Sequence, residues 1–222
     1  MVAQDGLAVG AVVSAAGGKA LKPYLRWSYA DKLASQILEF NPRMRGQVDS
    51  YEYVSRRMGK SFSSLIENYR EVGDLDGAAL VALREAQLRR RFLMMVNILP
   101  LDQVIQLEPD AAPVIGRLNE EVDDYYDMRY QTVRLQELRV QIYDTAAGQK
   151  IFDEVFRSDD GGLSLASERS ARKYVGNSLV AALSNSLANG FRDSEHPAAP
   201  KAEAVLERVW RNVAQALPAG VR

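Results

Sequence analysis

The chain has 222 residues, 47% of them apolar and 26% charged, the mix of an ordinary globular protein and not of a disordered segment. A net charge of −1 removes the bulk electrostatic case for binding nucleic acid or an anionic membrane surface. With no cysteine, thiolate chemistry, cysteine-ligated zinc and disulfides are all excluded, and a single histidine, His196, leaves few triads or imidazole metal sites.

No run reaches the ~18 apolar residues that a membrane-spanning helix needs. Met1 to Gly6 carries no positive charge ahead of its apolar stretch, so it does not read as a secretory signal. The expectation is either a cytoplasmic chain or a mature exported one whose leader, and any lipid-anchored cysteine, lie outside this sequence. The first element is the apolar run Gly6–Ser14, a buried strand closed by Ala15-Ala-Gly-Gly18. Ala30, Leu33, Ala34, Ile37 and Leu38 recur at helical spacing and predict a helix over 28–40, stopped at Asn41-Pro42. Val48, Tyr51, Tyr53 and Val54 read as a second strand within 47–54. A short helix over 64–72 follows, with capping-box spacing at Ser64 and Glu67 and an end at Gly73.

Asp76 is placed to cap a helix over 77–88, whose inner face is Ala79, Leu80, Leu83 and Ala86. Arg91 to Leu99 is short and uniformly apolar, which predicts a central strand covered on both faces and ended or bulged at Pro100. Val104 to Leu107 continues along the sheet edge. Over 131–144, Val133 and Leu135 alternate, and Leu138, Val140 and Ile142 alternate one residue out of phase, the signature of a bulge. Asp144 to Gly148 supplies a turn into a strand over 149–157. A long helix over 166–191 is expected next, with Val175, Leu179, Ala182, Leu183 and Leu187 facing inward. The predicted fold class is α/β, with a mixed central sheet and flanking helices in one layered domain over 6–192. A linker over 193–200 leads to an amphipathic helix over 201–217. The stripe Val205, Val209 and Val213 on that helix covers the domain, a partner or a second copy.

Several chemical motifs fail on inspection. Gly17-Gly-Lys19 lacks the upstream glycine and the Ser or Thr of a phosphate loop, and a simple turn accounts for it. Ser170-Ala-Arg-Lys173 matches a Ser-x-x-Lys element but has neither companion motif. Arg89-Arg-Arg91 reads as edge protection or loop solvation, with no nucleic-acid role. His196 sits in the linker as an exposed, unsupported side chain. Glu120, Glu121, Asp123, Asp124 and Asp127 crowd one stretch with Tyr125 and Tyr126. They could ligate Ca²⁺ or Mg²⁺, but they lack EF-hand spacing, and Arg117 and Arg129 flank them, so an acidic-aromatic loop is the preferred reading.

Three pieces together resemble a known group: the leading Val-rich strand and helix, Asp74 to Ala86 feeding the strand Arg91–Ile98, and Val133 to Phe156 with its Tyr143-Asp-Thr-Ala-Ala-Gly-Gln-Lys-Ile151 turn. That hairpin looks like the one found in bacterial periplasmic lipoproteins, among them the curli-secretion channel subunit, the lipoprotein activators of peptidoglycan synthases and the N-terminal domain of the Tol propeller protein. The resemblance covers roughly residues 6 to 192, by order of elements more than by identities. It implies an exported, outer-membrane-tethered protein that acts through protein contacts, without catalysis or cofactor. Two departures stand out. Asn97-Ile-Leu-Pro100 replaces the usual glycine, and segment 108–129 does not alternate as membrane-spanning hairpins do, so an adaptor is implied more than a pore.

The leading expectation is therefore a non-enzymatic periplasmic adaptor or assembly protein with envelope partners, self-association being one of them. Tyr125, Tyr126 and Trp210 are of the types that anchor interfaces, with Asp123, Asp124 and Asp127 beside them. No bound metal or cofactor is expected. The alternatives are a metal-assisted hydrolase using Glu120, Asp123, Asp124 and Asp127, and a cytoplasmic ligand-binding domain.

Overall fold

The computed structural model describes residues 4–16, 21–115, 121–158, 165–174 and 196–221. Its elements are β1 (Gln4–Ser14), α1 (Pro23–Phe40), a 3₁₀ turn (Pro42–Met44), β2 (Val48–Asp49), α2 (Tyr51–Met58), α3 (Lys60–Val72), α4 (Gly77–Ala86), β3 (Arg90–Ile115), β4 (Glu121–Asp144), β5 (Gln149–Arg157), β6 (Leu165–Tyr174) and α5 (Ala202–Ala216). The sheet runs β2-β1-β3-β4-β5, with β6 also paired to β4. β1 is parallel to β2 and β3, whereas β4 is antiparallel to β5 and β6. The fold is α/β, a mixed central sheet flanked by helices, as its sequence predicts. None of the described helices is long and apolar enough to cross a membrane.

The chain divides into two compact units, and the division cuts through both long strands. The first comprises 1–102, 136–163 and 205–222; the second comprises 103–135 and 164–204.

In the first unit the sheet separates two cores. Leu7, Val9 and Val12 of β1, Phe92, Met94 and Val96 of β3, and Leu138, Val140 and Ile142 of β4 pack with α1 and α5. Ala8, Ala11, Val13, Leu93 and Met95 pack on the other side with α2, α3 and α4. The inward set of β1 changes parity after Val9 because Gly10 is the extra residue of a bulge: Val9 pairs Met94 and Ala11 pairs Met95. Glycine is required there, since a Cβ would lie 2.7 Å from Leu93 Cδ1 and 2.8 Å from Met95 Sδ.

Local signals act as read at several ends. Asn41 ends α1, and Gly73 ends α3 in the left-handed conformation at φ +76°. The Asp76 carboxylate accepts from Ala79 N at 2.7 Å and so satisfies a helix-start amide. Asp144 Oδ1 accepts from Ala146 N and Ala147 N, both at 3.0 Å, and Gly148 closes the turn at φ +67°.

Other expectations fail. Of 47–54 only Val48 and Asp49 are strand; Tyr51 to Met58 is helix, capped by Ser50 Oγ and burying Val54 and Met58 one turn apart. α3 begins at Lys60, so Ser64 lies inside the helix and is no cap. Pro100 does not end β3. Pairing with β1 stops at Ser14 with Ile98, so the missing proline N–H breaks no bond of that ladder. The acidic-aromatic segment 118–130 is not a loop where it is described: 121–130 belongs to β4. The phase slip between Leu135 and Leu138 marks a change of partner, β6 through Arg134 and β5 from Glu137, while the ladder irregularity falls between Ile142 and Tyr143. Residues 165–174 are strand where helix 166–191 is predicted, because each pairs with a residue of β4 from Tyr125 to Arg134. The inward positions 175–187 and the 17–19 turn lie outside the described residues.

Of the predicted stripe on helix α5, Val209 and Val213 pack, with Trp210, into the core shared with α1, and Val205 is buried.

Candidate functional site

Two assemblies of polar and aromatic side chains emerge, one in each unit. In the first unit, the left-handed Gly73 turns the chain out of α3 and presents Asp74 to the β4–β5 hairpin. Asp74 accepts from the Tyr143 hydroxyl and Lys150 Nζ, both at 2.7 Å, and from Leu75 N at 2.8 Å. Lys150 Nζ also lies 2.6 Å from Asp153, which receives Arg139 in a two-pronged contact at 2.7 and 2.8 Å and the Gln141 amide at 3.1 Å. Two carboxylates thus face two cations.

Burial pushes both carboxyls up, but the hydrogen bonds outweigh it. Lys150 and Tyr143 hold Asp74 below the usual carboxylate range, and Arg139, Lys150 and Gln141 hold Asp153 well below it. Burial, then the bond to Asp74, pushes the Tyr143 hydroxyl far up, and burial does the same for Tyr69. Neither phenol acts as a base near neutral pH, and neither aspartate holds a transferable proton. The cluster is charge-matched and fastens the α3–α4 corner to the hairpin. Beside it, Tyr69 Oη and Asn97 Oδ1 are buried without a hydrogen-bond partner among the described residues.

The arginine triplet is also structural. Arg89 and Arg90 both contact the buried carboxylate of Asp49, with Arg89 Nε at 3.1 Å from Oδ2. Arg91 donates to Asp144 Oδ2 at 2.9 and 2.7 Å, tying β3 to the hairpin turn. Edge protection is thus replaced by specific pairing. Asp49 and Asp74 escape sequence reading because their partners lie far along the chain; Asp49 and Arg89 are 40 positions apart and Asp74 and Lys150 are 76.

In the second unit, β4 carries Tyr125 and Tyr126 at successive positions, so strand alternation directs them to opposite faces. Both are more than a third exposed, at 37% and 38%. Val104, Ile105 and Leu107 on β3 are exposed as well. Asp127 contacts Arg172 of β6 at 3.2 Å, and Gln131 donates to Glu168 at 2.8 Å. Positions 123 and 124 lie on the same strand, and Glu120 lies outside the described residues. Among the described residues, no three acidic or imidazole side chains converge as a metal centre would require.

Two readings of single residues change. Trp210 is wholly buried, so it is a core residue and offers no surface to a partner. His196 is neither exposed nor unsupported: its ring meets Tyr130 edge-on at 5.3 Å, and Nε2 lies 3.0 Å from the Leu107 carbonyl. Thr132 Oγ1 donates to Pro197 O at 2.7 Å and Arg134 to Pro200 O at 3.0 Å, so the supposed linker is strapped to β4 over 197–200. Ser170 and Lys173 lie on a strand, which denies them the one-turn helical spacing of the Ser-x-x-Lys element.

No family model and no curated protein matches the chain. Among solved structures it is similar to the crystal structure of lipoprotein GNA1162 from Neisseria meningitidis, with 13% identity over 84% of this chain and 100% of that one, at a TM-score of 0.29. The likeness is to a bacterial lipoprotein and does not reach the more specific families that the hairpin resembles. At that score it carries no argument about partners or activity.

Proposed function

We propose that the protein is a non-catalytic cell-envelope adaptor that binds other proteins through the sheet of its second unit. The observation that carries this reading is the pair Tyr125 and Tyr126, exposed on opposite faces of β4, while Val104, Ile105 and Leu107 are exposed on β3 of the same unit. Apolar and tyrosine side chains on a sheet face exchange water for a partner at low entropic cost. Asp127, Arg172 and Lys173 supply a charged rim of the kind that sets orientation. The envelope location rests on the hairpin resemblance alone. A polar cluster whose carboxylates are each already engaged by Lys150 or Arg139 fits a scaffold better than a reaction centre.

The test is a photo-crosslinking residue placed at Tyr126 in the full gene product, with Val81, an exposed position on α4, as the control. A defined envelope protein should be captured from position 126 and not from 81. Equal capture from both positions would refute the surface, and a cytoplasmic partner would refute the location.

A further inference from the structure

We propose that the groove between α1 and α5 in the first unit is a recognition site for a guanidinium group. The groove has a volume of about 430 Å³, and the two tryptophans of the chain, Trp27 and Trp210, both line it. Trp27 is 49% exposed, an indole left facing water near the start of α1. One turn on, Asp31 lies in the same groove. Its carboxylate is partly buried and, among the described residues, has neither a hydrogen bond nor an ion pair; its backbone carbonyl accepts from Ser35 Oγ at 2.9 Å. Burial, then the charge of Glu52, pushes this carboxyl up, the mark of a negative charge that lacks compensation.

The wall adds two further unmatched atoms. Gln36 Oε1 and Trp210 Nε1 are both buried and without partners among the described residues. The group in the groove that a ligand can reach and that is unmatched in charge is the Asp31 carboxylate, beside the exposed indole of Trp27. The one cation in the lining, Lys32, is held by Glu207 at 2.6 Å. The chemistry still wanted is a donor-rich, flat cation. A guanidinium stacks on an indole face and donates two parallel hydrogen bonds to a carboxylate, which an ammonium cannot do in the same geometry. The ligand is either an arginine side chain of a polypeptide or a free guanidino compound. The site is independent of the second unit's sheet, so either proposal can fail without the other.

Because both tryptophans line the groove, intrinsic fluorescence of the whole chain is a local readout. The chain is titrated at low salt with N-acetyl-L-arginine amide and with its neutral isostere N-acetyl-L-citrulline amide. A saturable change is expected with the arginine probe at millimolar concentration, about tenfold weaker with citrulline. Asp31→Asn should weaken the arginine probe by about tenfold while leaving the far-ultraviolet dichroism and Tm unchanged. Free L-arginine binding more tightly than the capped form assigns the site to a free guanidino compound; equal binding assigns it to an arginine side chain. Citrulline binding as tightly as arginine, an unaffected Asp31→Asn variant, or no saturable change at all overturns the proposal.

Discussion

Replacing Trp210 by alanine decides whether the C-terminal helix belongs to the core or is an appendage. The side chain is wholly buried, its ring centroid stands 6.3 Å from that of Tyr29, and its cluster includes Leu33, Ile37 and Val140 from α1 and β4. Removing a buried tryptophan costs about 3–5 kcal/mol, because the lost transfer energy is compounded by a cavity that stiff neighbours fill only in part. For a chain of this length each kcal/mol moves Tm by about 2–4 °C, so a fall of roughly 6–20 °C is expected. Glu207→Ala, on the same helix but at a half-exposed ion pair with Lys32, should cost under about 1 kcal/mol. Urea unfolding followed by far-ultraviolet dichroism measures both variants. If Trp210→Ala loses no more than Glu207→Ala, the helix is not part of the core and the assignment of this face is wrong.

Three further outcomes are expected. Tyr125→Ala combined with Tyr126→Ala should change stability by no more than about 1 kcal/mol, yet weaken partner capture by about 1–4 kcal/mol; a large fall in Tm would show instead that the rings are structural. Asp74, Asp144 and Asp153 are held below their ordinary pKa in the folded state, so the unfolded chain binds protons first as pH falls. Their stabilisation is complete above the ordinary carboxylate range and declines as pH drops below about 4; urea midpoints that stay level from pH 5 to pH 2.5 would contradict this. Gly10→Ala places a Cβ 2.7 Å from Leu93 Cδ1 and 3.0 Å from the Met94 carbonyl, and should cost about 1–3 kcal/mol in the same unfolding assay.

Much of the second unit could not be read from local pattern. Leu165 to Tyr174 is rich in Ala, Ser, Arg, Lys and Glu, which favour a helix or are neutral, yet it is strand because β4 offers it a ladder over ten residues. Val48 to Val54 shows near-alternation, but Ser50 caps a helix at Tyr51, and burial of Val54 and Met58 on one face wins over the period-two reading. The acidic-aromatic stretch looked like a loop because charge and tyrosine satisfy no strand period, and pairing with β6 overrides that. Of the candidate partner residues, Tyr125 and Tyr126 are exposed where Trp210 is not, a difference no property of the residue type contains.

By itself the sequence determined the elements whose causes lie within a few residues. The Asp76 cap, the Gly73 stop, the Asp144–Gly148 turn and the doubly apolar run of β3 are all of this kind, since backbone conformation and short hydrogen bonds act locally. Only the tertiary structure decided which polar groups meet. Arg91 with Asp144 and Asp74 with Lys150 depend on strands and helices brought together from distant parts of the chain. Burial of each charge has to be matched by whatever partner that packing supplies, and no short window of sequence contains the partner.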